Sequence, residues 1–321
     1  MVKLGSVMAG LKCDFVWKDG RLVKWEDAKV HVSAWSLHYS VSIFEGIRAH
    51  PARLGGKQNT FVFRLGDHIR RLERGARLYE IPLKFSASEI EKAVVETVRK
   101  NGLKNCYIRP ILYFGHWKSL MPNQRQPNSE LAIFALPVKA GAEKAGEAEP
   151  VGLKCMISKW RKPSHDSLPG DVKCSANYAL SYLAGLEAEK AGYDYAFLLD
   201  HRGLVSEGLA SNVFIVKRGR LVTPPFSPSM LGGITRDSVL AVARDEGIAC
   251  EERDLTADEL RNADEVFVTG TLSDMVPVAN IGGAKIGDGT EGQVTRELHE
   301  AYRRAVSGGN RKYWKWFTPV Y

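Results

Sequence analysis

Residues 169–178 read Pro169-Gly170-Asp171-Val172-Lys173-Cys174-Ser175-Ala176-Asn177-Tyr178, and this stretch decides how the rest of the chain is interpreted. Lys173 lies in a glycine-containing loop before a predicted helix that Gly192 closes and whose apolar residues recur at helical spacing: Leu180, Leu183, Ala184 and Leu186. Lysine forms a Schiff base with a carbonyl cofactor, most readily when its ammonium is partly desolvated. Tyr178 is within reach to offer its phenol to the same ligand. A loop lysine alone is more often a solvated charge, so the surrounding sequence has to decide.

The downstream sequence supplies an acid and two glycine-threonine turns. Glu207 follows a buried strand predicted at 195–200 and lies at a strand-to-loop junction among apolar neighbours. The run 231–235, Leu-Gly-Gly-Ile-Thr, precedes a helix predicted at 238–245, and such a start offers free N–H groups, a hydroxyl and the positive end of the helix dipole to an anion. A strand predicted at 266–270 leads into a second such turn at Thr271. One lysine, one acid and two phosphate-type turns are what pyridoxal 5′-phosphate requires.

Several ordered motifs resemble the class IV aminotransferases of pyridoxal phosphate fold type IV. In the second half they are PGDVKCSANY at 169–178, VSEGLASNVF at 205–214, LGGITRD at 231–237 and VTGTLSDMVPV at 268–278. In the first half they are the runs 25–32, 38–48 and 107–110, which resemble the branched-chain amino-acid aminotransferases in particular. The resemblance extends from about residue 14 to the C-terminus.

The resemblance implies a cofactor site for pyridoxal 5′-phosphate. Lys173 would hold the cofactor and carry the proton between the substrate Cα and C4′ of the cofactor. Glu207 would face the pyridine nitrogen, Tyr178 the ring hydroxyl and Arg64 the phosphate. The full expected set is Arg64, Lys173, Tyr178, Glu207, Leu231, Ile234, Thr235 and Thr271. The structural alternatives are a turn acid at Glu207, a core aromatic at Tyr178 and a surface arginine at Arg64.

The same resemblance assigns substrate binding to residues of the first half and one later leucine: Tyr39, Phe44, Gly46, Arg48, Tyr107, Arg109 and Leu272. The first three resemble a pocket for an aliphatic side chain, with plain core packing as the alternative for Tyr39 and Phe44. Tyr107 and Arg109 resemble residues that meet carboxylates, and strand alternation puts both on one face. Arg48 would serve a second carboxylate or form a structural ion pair.

The order of predicted elements favours two domains. Residues 1–137 are predicted as a small α+β domain, with a hairpin at Asp19-Gly20, helices at 65–79 and 87–101, and strands at 59–63, 105–114 and 131–136. Residues 138–149 are small and charged and are predicted as an interdomain loop. Residues 150–321 are predicted as a larger cofactor-binding domain. With the resemblance, the expected fold is mixed α/β (α+β), of fold type IV, with its active site at the domain interface.

The expected function is the transfer of the amino group of L-leucine, L-isoleucine or L-valine to 2-oxoglutarate by a ping-pong mechanism through pyridoxamine phosphate. Alternatives of the same fold are a D-amino-acid or (R)-amine transaminase and an aminodeoxychorismate lyase. One departure bears on specificity: the run Val138-Lys-Ala-Gly-Ala-Glu143 has no aromatic where branched-chain enzymes commonly place a tryptophan- and tyrosine-rich loop. We therefore expect a broadened donor range, unless aromatics such as Trp35 or Trp117 close the pocket. The family norm implies a homodimer or higher homo-oligomer.

The composition of the chain argues against several other classes of protein. The 321 residues are 44% hydrophobic and lack an apolar run long enough for a membrane span or signal peptide, so the cytoplasm is the expected location. Five scattered cysteines argue against a disulfide framework and a zinc site, and Cys174 is expected to pack rather than react. A net charge of +8 leaves a basic nucleic-acid-binding protein as the alternative from another class. We expect no nucleic-acid or membrane partner, because the basic stretches 70–77, 159–162 and 311–316 are predicted mostly as solvated faces.

Overall fold

The computed structural model describes residues 12–116, 119, 121, 122, 126, 128–138, 152–227 and 229–321. The chain divides into two compact units. The first comprises Met1–Ala142, Val172–Ala176 and Val306–Tyr321; the second comprises Glu143–Asp171 and Asn177–Ala305. Residues 150–321 are predicted as one domain, but Val172–Ala176 and Val306–Tyr321 group with the first unit. The predicted interdomain loop 138–149 lies outside the described residues apart from Val138.

The strands of the described ranges, in chain order, are β1 (Phe15–Lys18), β2 (Arg21–Lys24), β3 (Ser42–Phe44), β4 (Ile47–Leu54), β5 (Lys57–Phe63), β6 (Cys106–Phe114), β7 (Ser129–Pro137), β8 (Leu153–Arg161), β9 (Tyr195–Leu199), β10 (Val205–Gly208), β11 (Asn212–Lys217), β12 (Arg220–Thr223), β13 (Cys250–Glu252), β14 (Glu265–Gly270), β15 (Asp274–Ile281), β16 (Ala284–Lys285) and β17 (Phe317–Pro319). The α-helices are α1 (Trp35–Tyr39), α2 (Leu65–Leu78), α3 (Ala87–Lys100), α4 (Ala176–Lys190), α5 (Ile234–Asp245), α6 (Ala257–Arg261) and α7 (Gln293–Val306). Short 3-10 helices cover Trp25–Asp27 and Arg311–Trp316.

The first unit is built on an antiparallel sheet in the order β17-β5-β4-β6-β7-β1-β2, with β3 also paired to β6. The predicted hairpin at Asp19-Gly20 is confirmed, since both residues have positive φ (44° and 92°), as a type I′ turn between β1 and β2 requires. The predicted helices are confirmed as α2 and α3, and α3 begins with a capping box formed by Ser86 and Glu89. Their apolar faces join the sheet in one core, in which Leu65, Ile69, Leu72, Ile90 and Val94 are buried.

A short segment around Lys173 extends this sheet beside β3. Ile43 and Cys174 form an antiparallel bridge, and the Ser175 N–H donates to the Ser42 carbonyl at 2.9 Å. Val172 and Cys174 are buried in the core of the first unit. Lys173, between them, is the centre of a tight turn in which the Cys174 N–H donates to the Val172 carbonyl at 2.8 Å. This pairing fixes the backbone that carries Lys173.

The second unit is built on a mixed sheet in the order β10-β9-β8-β15-β14-β11-β12-β13, with β16 on β15. The pairs β8–β9, β8–β15 and β12–β13 are parallel, and the remaining pairs are antiparallel. Helix α5 begins at Ile234, four residues before the predicted start, because the Asp237 N–H already donates to the Gly233 carbonyl at 3.0 Å.

Helix α4 was predicted correctly in position, and its predicted apolar face is buried at Ala184 and packs on the core at Leu180 but not at Leu183. Its buried residues are Asn177, Ala184 and Ala188, whereas Leu183 is exposed, as is Tyr182. Small residues face the sheet here because they allow the helix to pack closely on it. Within the part of the chain that the structure describes, no helix combines the length and apolarity that crossing a bilayer requires.

Candidate active site

Lys173 lies in a partly buried, positively charged environment of the first unit. Its carbonyl accepts a hydrogen bond from the Phe44 N–H at 3.1 Å, and its Nζ lies 5.0 Å from the centre of the Phe44 ring. Burial, together with the positive charge of Arg71, lowers the pKa of Lys173 to about 8, and the carboxylate of Glu45 partly opposes this shift. A larger share of this side chain is therefore the neutral amine at neutral pH than in an ordinary lysine, and the neutral amine is the form that attacks a carbonyl.

A buried ionic cluster of Glu45, His68 and Arg71 contributes to this electrostatic environment, and the sequence analysis missed it. The Glu45 side chain is fully buried, and Arg71 donates to its two oxygens through Nε and Nη2, both at 2.7 Å. His68 Nδ1 lies 2.8 Å from the same carboxylate. Burial would raise the pKa of Glu45, but Arg71 and His68 hold that pKa well below its usual range. Arg71 belongs to the basic stretch 70–77, so the prediction of a solvated face is wrong at this residue.

Phe44, Gly46, Tyr107 and Arg109 form one group, as the sequence analysis predicted for the last two. On β6, Tyr107 and Arg109 share the face opposite the buried Cys106 and Ile108, and Arg109 Nη2 donates to the Tyr107 hydroxyl at 2.7 Å. The guanidinium of Arg109 lies over the Phe44 ring, 4.6 Å from its centre. A Cβ added to Gly46 would lie 2.2 Å from the Tyr107 hydroxyl, so only glycine permits this approach.

Arg109 retains unused donor capacity. Its Nε is buried and has no hydrogen-bond partner among the described residues. A planar guanidinium that already donates once at Nη2 can still offer its Nε edge to a carboxylate. The geometry of this group therefore fits an anionic ligand beside an aromatic and glycine-lined wall.

Arg48 and Tyr39, both expected to bind substrate, are also held by contacts within the fold. Arg48 is buried on β4 directly opposite Tyr107 of β6, and its Nη2 donates to Asn105 Oδ1 at 3.0 Å. Tyr39 ends helix α1 with its ring tilted by 32° against that of Trp35, at 4.5 Å between ring centres, and 37% of the residue is exposed. Arg48 thus shares the sheet face of the Tyr107 group, whereas Tyr39 lies at an exposed helix end.

Arg64, the expected phosphate ligand, precedes helix α2 in a left-handed backbone conformation with φ 52° and ψ 37°. Its Nε donates to Asp67 Oδ2 at 2.7 Å, and its side chain is 11% exposed. The structural alternative of a solvated surface arginine therefore does not describe this residue.

In the second unit, Glu207 forms a buried ion pair that the sequence did not indicate. Lys162 Nζ donates to Glu207 Oε1 at 2.5 Å, and the Leu231 N–H donates to the other oxygen at 3.3 Å. Lys162 is 4% exposed, although the basic stretch 159–162 was predicted as a solvated face. The prediction is wrong at Lys162 because a register shift between β8 and β9 precedes it and its N–H donates to the Leu199 carbonyl. Both charges are thereby held inside the unit.

The two glycine-threonine turns lie at the ends of neighbouring strands. Asn212 of β11 pairs with Thr269 of β14, its Nδ2 donates to the Leu231 carbonyl at 3.1 Å, and its Oδ1 occupies the space that a Cβ on Gly233 would need. The Oγ1 of Thr269 is buried and has no hydrogen-bond partner among the described residues.

The remaining expected ligands occupy the helix starts and the second turn. Ile234 and Thr235 open α5, and Thr271 and Leu272 form the turn after β14. Tyr178 lies half-buried in the first turn of α4. The buried hydroxyl of Thr269, the start of α5 and the Glu207 carboxylate suit a ligand that carries both an anionic group and a protonated ring. The donor sets therefore fit a phosphorylated pyridine cofactor.

Cys174 is buried, and burial raises the pKa of its thiol, so it packs beside Lys173 rather than acting as a nucleophile. Among the residues that the structure describes, no group of three or more histidine, cysteine or acidic side chains is arranged to hold a metal ion.

The model of the amino-transferase class IV family matches residues 42–281. The chain is 37% identical over 313 residues to the branched-chain-amino-acid aminotransferase of Salmonella typhimurium, covering 98% of this chain and 99% of that protein. The crystal structure of the branched-chain aminotransferase from Thermoproteus uzoniensis with norvaline is similar with a TM-score of 0.87 and 40% identity, covering 97% of this chain and 100% of that one.

A third relative, the T.th. branched-chain amino acid aminotransferase, is similar in two ligand complexes. With pyridoxamine 5′-phosphate it gives a TM-score of 0.91 at 37% identity, covering 97% of this chain and 100% of that one. With N-(5′-phosphopyridoxyl)-L-glutamate it gives 0.89 at 36% identity and the same coverage. These matches confirm the predicted mixed α/β fold of type IV. The chain belongs to the class IV aminotransferases, within the family of branched-chain-amino-acid aminotransferases.

Proposed function

We propose that this protein transfers the amino group of L-leucine, L-isoleucine or L-valine to 2-oxoglutarate with pyridoxal 5′-phosphate as cofactor. The observation that carries the proposal is Lys173, a partly buried amine with a lowered pKa that is held by backbone pairing next to the Phe44–Arg109 group. When bound, the cofactor supplies a carbonyl that receives the amino group and a ring that accepts electron density from the substrate Cα.

The proton transfer and the binding of the cofactor are assigned to residues of this chain. Lys173 removes the proton from the substrate Cα and returns it at C4′ of the cofactor, because one amine beside both carbons makes the transfer intramolecular. Glu207, held in an ion pair with Lys162, is proposed to face the pyridine nitrogen and to favour its protonated form. The other proposed cofactor ligands are Arg64 for the phosphate, Tyr178 for the ring hydroxyl, and Leu231, Ile234, Thr235 and Thr271 in the two turns.

Substrate recognition is proposed to rest on the first unit. Arg109, with Tyr107 as its hydrogen-bond partner, offers its Nε edge to a substrate carboxylate. Phe44 and Gly46 form an apolar wall for an aliphatic side chain, and Tyr39, Arg48 and Leu272 are proposed as further contacts. The norvaline and phosphopyridoxyl-glutamate complexes of the relatives support an aliphatic donor and a 2-oxoglutarate acceptor.

The alternatives are less well supported. The matched relatives are branched-chain aminotransferases, which does not favour a D-amino-acid or (R)-amine transaminase or an aminodeoxychorismate lyase. Arg71 and Lys162 are paired with buried or partly buried acids inside the fold, so they add no charge to a basic surface that could bind nucleic acid.

We also propose a homo-oligomer, dimer or larger, in the cytoplasm. The segment before β3 exposes several apolar side chains close together in sequence: Val30, Val32, Leu37 and Tyr39. Such a concentration on one segment is typical of an interface between copies. The five cysteines are free thiols, in keeping with a reducing compartment.

Borohydride reduction of the purified protein loaded with pyridoxal 5′-phosphate tests the proposed function. We expect a visible absorbance band before reduction and, after it, a stable label on Lys173 alone in a peptide map. Lys162 serves as the internal control, because it is a buried lysine whose ammonium is already paired with Glu207. A label on Lys162, or no visible band, would refute the proposal.

A donor panel tests the breadth of specificity. Valine and leucine should be good donors, and phenylalanine and a primary aryl-alkyl amine should be turned over measurably. The reason is that residues 138–143 lack aromatics, and missing ring contacts should forfeit about 1–3 kcal/mol of discrimination. Residues 139–143 and Trp117 lie outside the described residues, and Trp35 is buried against Tyr39 and Phe114. Undetectable activity on the last two donors would mean a narrow enzyme.

Arg109→Lys is expected to raise KM for 2-oxoglutarate more than KM for isoleucine. A point charge replaces a planar fork, and the dicarboxylate depends more strongly on bidentate recognition. Steady-state kinetics with each substrate varied in turn, together with a melting temperature, measures the effect. Equal losses for both substrates would instead indicate a structural arginine.

A further inference from the structure

The C-terminal 3-10 helix Arg311–Trp316, one of the basic aromatic stretches of the sequence, contacts Arg64. The Trp316 carbonyl accepts a hydrogen bond from the Arg64 N–H at 2.6 Å. The guanidinium carbon of Arg64 lies 5.1 Å from the centre of the Trp316 indole ring, within the range of a cation–π contact. The same tryptophan therefore contacts both the backbone and the side-chain charge of the proposed phosphate ligand.

Arg64 needs such support because its backbone is in the left-handed region, at φ 52°. Residues other than glycine, asparagine and aspartate rarely adopt this conformation, and it persists only where the surroundings impose it. The hydrogen bond from Arg64 to the Trp316 carbonyl holds the N–H in place, and the contact of Arg64 Nε with Asp67 at 2.7 Å holds the side chain from the helix side. The indole supplies a further contact with the guanidinium.

Trp316 is itself rigidly placed within the first unit. Its ring stacks on Tyr313 at 4.2 Å with an interplanar angle of 21°, and it meets Phe63 edge-on at 5.5 Å. Tyr313 is 3% exposed. The next residue, Phe317, begins β17 and pairs with Phe63 of β5, one residue before Arg64. The tail and the Phe63-Arg64 junction are thus joined by a strand pair and by ring contacts.

We propose that Trp316 is a positioning residue for Arg64, which it fixes in the strained conformation that presents the guanidinium to the cofactor phosphate. The inference rests on the proposed function, in which Arg64 binds that phosphate. It also accounts for the aromatic residues of the tail through packing and not through nucleic-acid binding.

The test compares the binding of pyridoxal 5′-phosphate and of pyridoxal, which lacks the phosphate, to the cofactor-free protein. Trp316→Ala should weaken pyridoxal 5′-phosphate binding about tenfold and leave pyridoxal binding unchanged, because a cation–π contact and a fixed rotamer are lost only for the phosphate ligand. Trp316→Phe keeps a ring under the guanidinium and should recover most of the affinity. Trp314→Ala is the matched control, since that ring lies on Arg311 in the same helix.

A double variant decides whether Trp316 acts through Arg64. In the Arg64→Ala background, Trp316→Ala should cause no further loss of pyridoxal 5′-phosphate affinity. Equal weakening of both ligands, a further loss in the Arg64→Ala background, or wild-type affinity in Trp316→Ala would each overturn the inference. If the alanine variant fails to fold, Trp316→Leu, which keeps an apolar side chain but no ring, takes its place and should show the same loss confined to pyridoxal 5′-phosphate. A wild-type protein that binds neither ligand would overturn the proposed function itself, and the inference with it.

Discussion

Glu45→Gln is expected to lower the free energy of unfolding by about 3–5 kcal/mol, because it leaves Arg71 as a buried charge without its carboxylate. Glu45 is fully buried and accepts both hydrogen bonds of the Arg71 fork. Chemical denaturation at neutral pH measures the change. Asp258→Asn is the control, because it removes an exposed ion pair with Arg261 and should have little effect. A Glu45→Gln variant as stable as the wild type would show that the cluster does not stabilise the fold.

Glu45 should also make the free energy of unfolding depend on pH, in a direction that its lowered pKa fixes. The pKa of Glu45 in the fold lies below its ordinary value of 4.5, so the unfolded chain takes up a proton first as the pH falls. The contribution of Glu45 is therefore fully present above about 4.5 and is lost as the pH falls below it. Stability curves of the wild type and of Glu45→Gln should converge in acid. Parallel curves would contradict the assignment.

Lys162→Met is expected to remove most turnover and to destabilise the cofactor-free protein by about 3–5 kcal/mol, because Glu207 would remain as a buried carboxylate without its counter-charge. Lys162 Nζ lies 2.5 Å from Glu207 Oε1, and the two side chains are 5% and 12% exposed. In the loaded protein, the proposed ring N–H supplies a positive partner, so the destabilisation should be smaller there. Melting temperatures with and without pyridoxal 5′-phosphate measure the difference.

Two variants control this experiment. Lys162→Arg retains the charge and should recover most stability and turnover, whereas Lys159→Met removes an exposed lysine from the preceding strand β8 and should change little. If the loss of stability in Lys162→Met were the same with and without cofactor, Glu207 would not face the ring nitrogen.

Local features of the sequence were sufficient for much of the first unit. The Asp19-Gly20 turn, the apolar periodicity of α2 and α3 and the alternation at Tyr107 and Arg109 each depend on backbone geometry over a few residues. The prediction of Lys173 and Glu207 as site residues also rests on local sequence, namely a glycine-containing loop before a helix for Lys173 and a strand end before Gly208 for Glu207. Predictions of this kind need no knowledge of the tertiary contacts.

The buried charges could not be predicted from local features of the sequence. Arg71 and Lys162 lie in basic stretches whose composition is typical of a solvated face, and their partners Glu45 and Glu207 are 26 and 45 residues away in sequence. The burial of α4 was predicted only in part for a related reason: Ala184 and Leu180 pack on the core as expected, but Leu183 is exposed and Ala188 is buried instead. Which side of a helix is covered depends on the elements around it.

The discontinuity of the first unit has a consequence for biosynthesis. The bridge between Ile43 and Cys174 and the pairing of β5 with β17 both join residues that leave the ribosome far apart in time. A nascent chain that stops after β7 lacks the segment bearing Lys173 and leaves β5 as an open sheet edge, which is a template for aggregation. Closing such long loops is slow, so this unit should complete its fold only after translation reaches β17. The sheet of the first unit can therefore be completed only after nearly the whole chain has been synthesised.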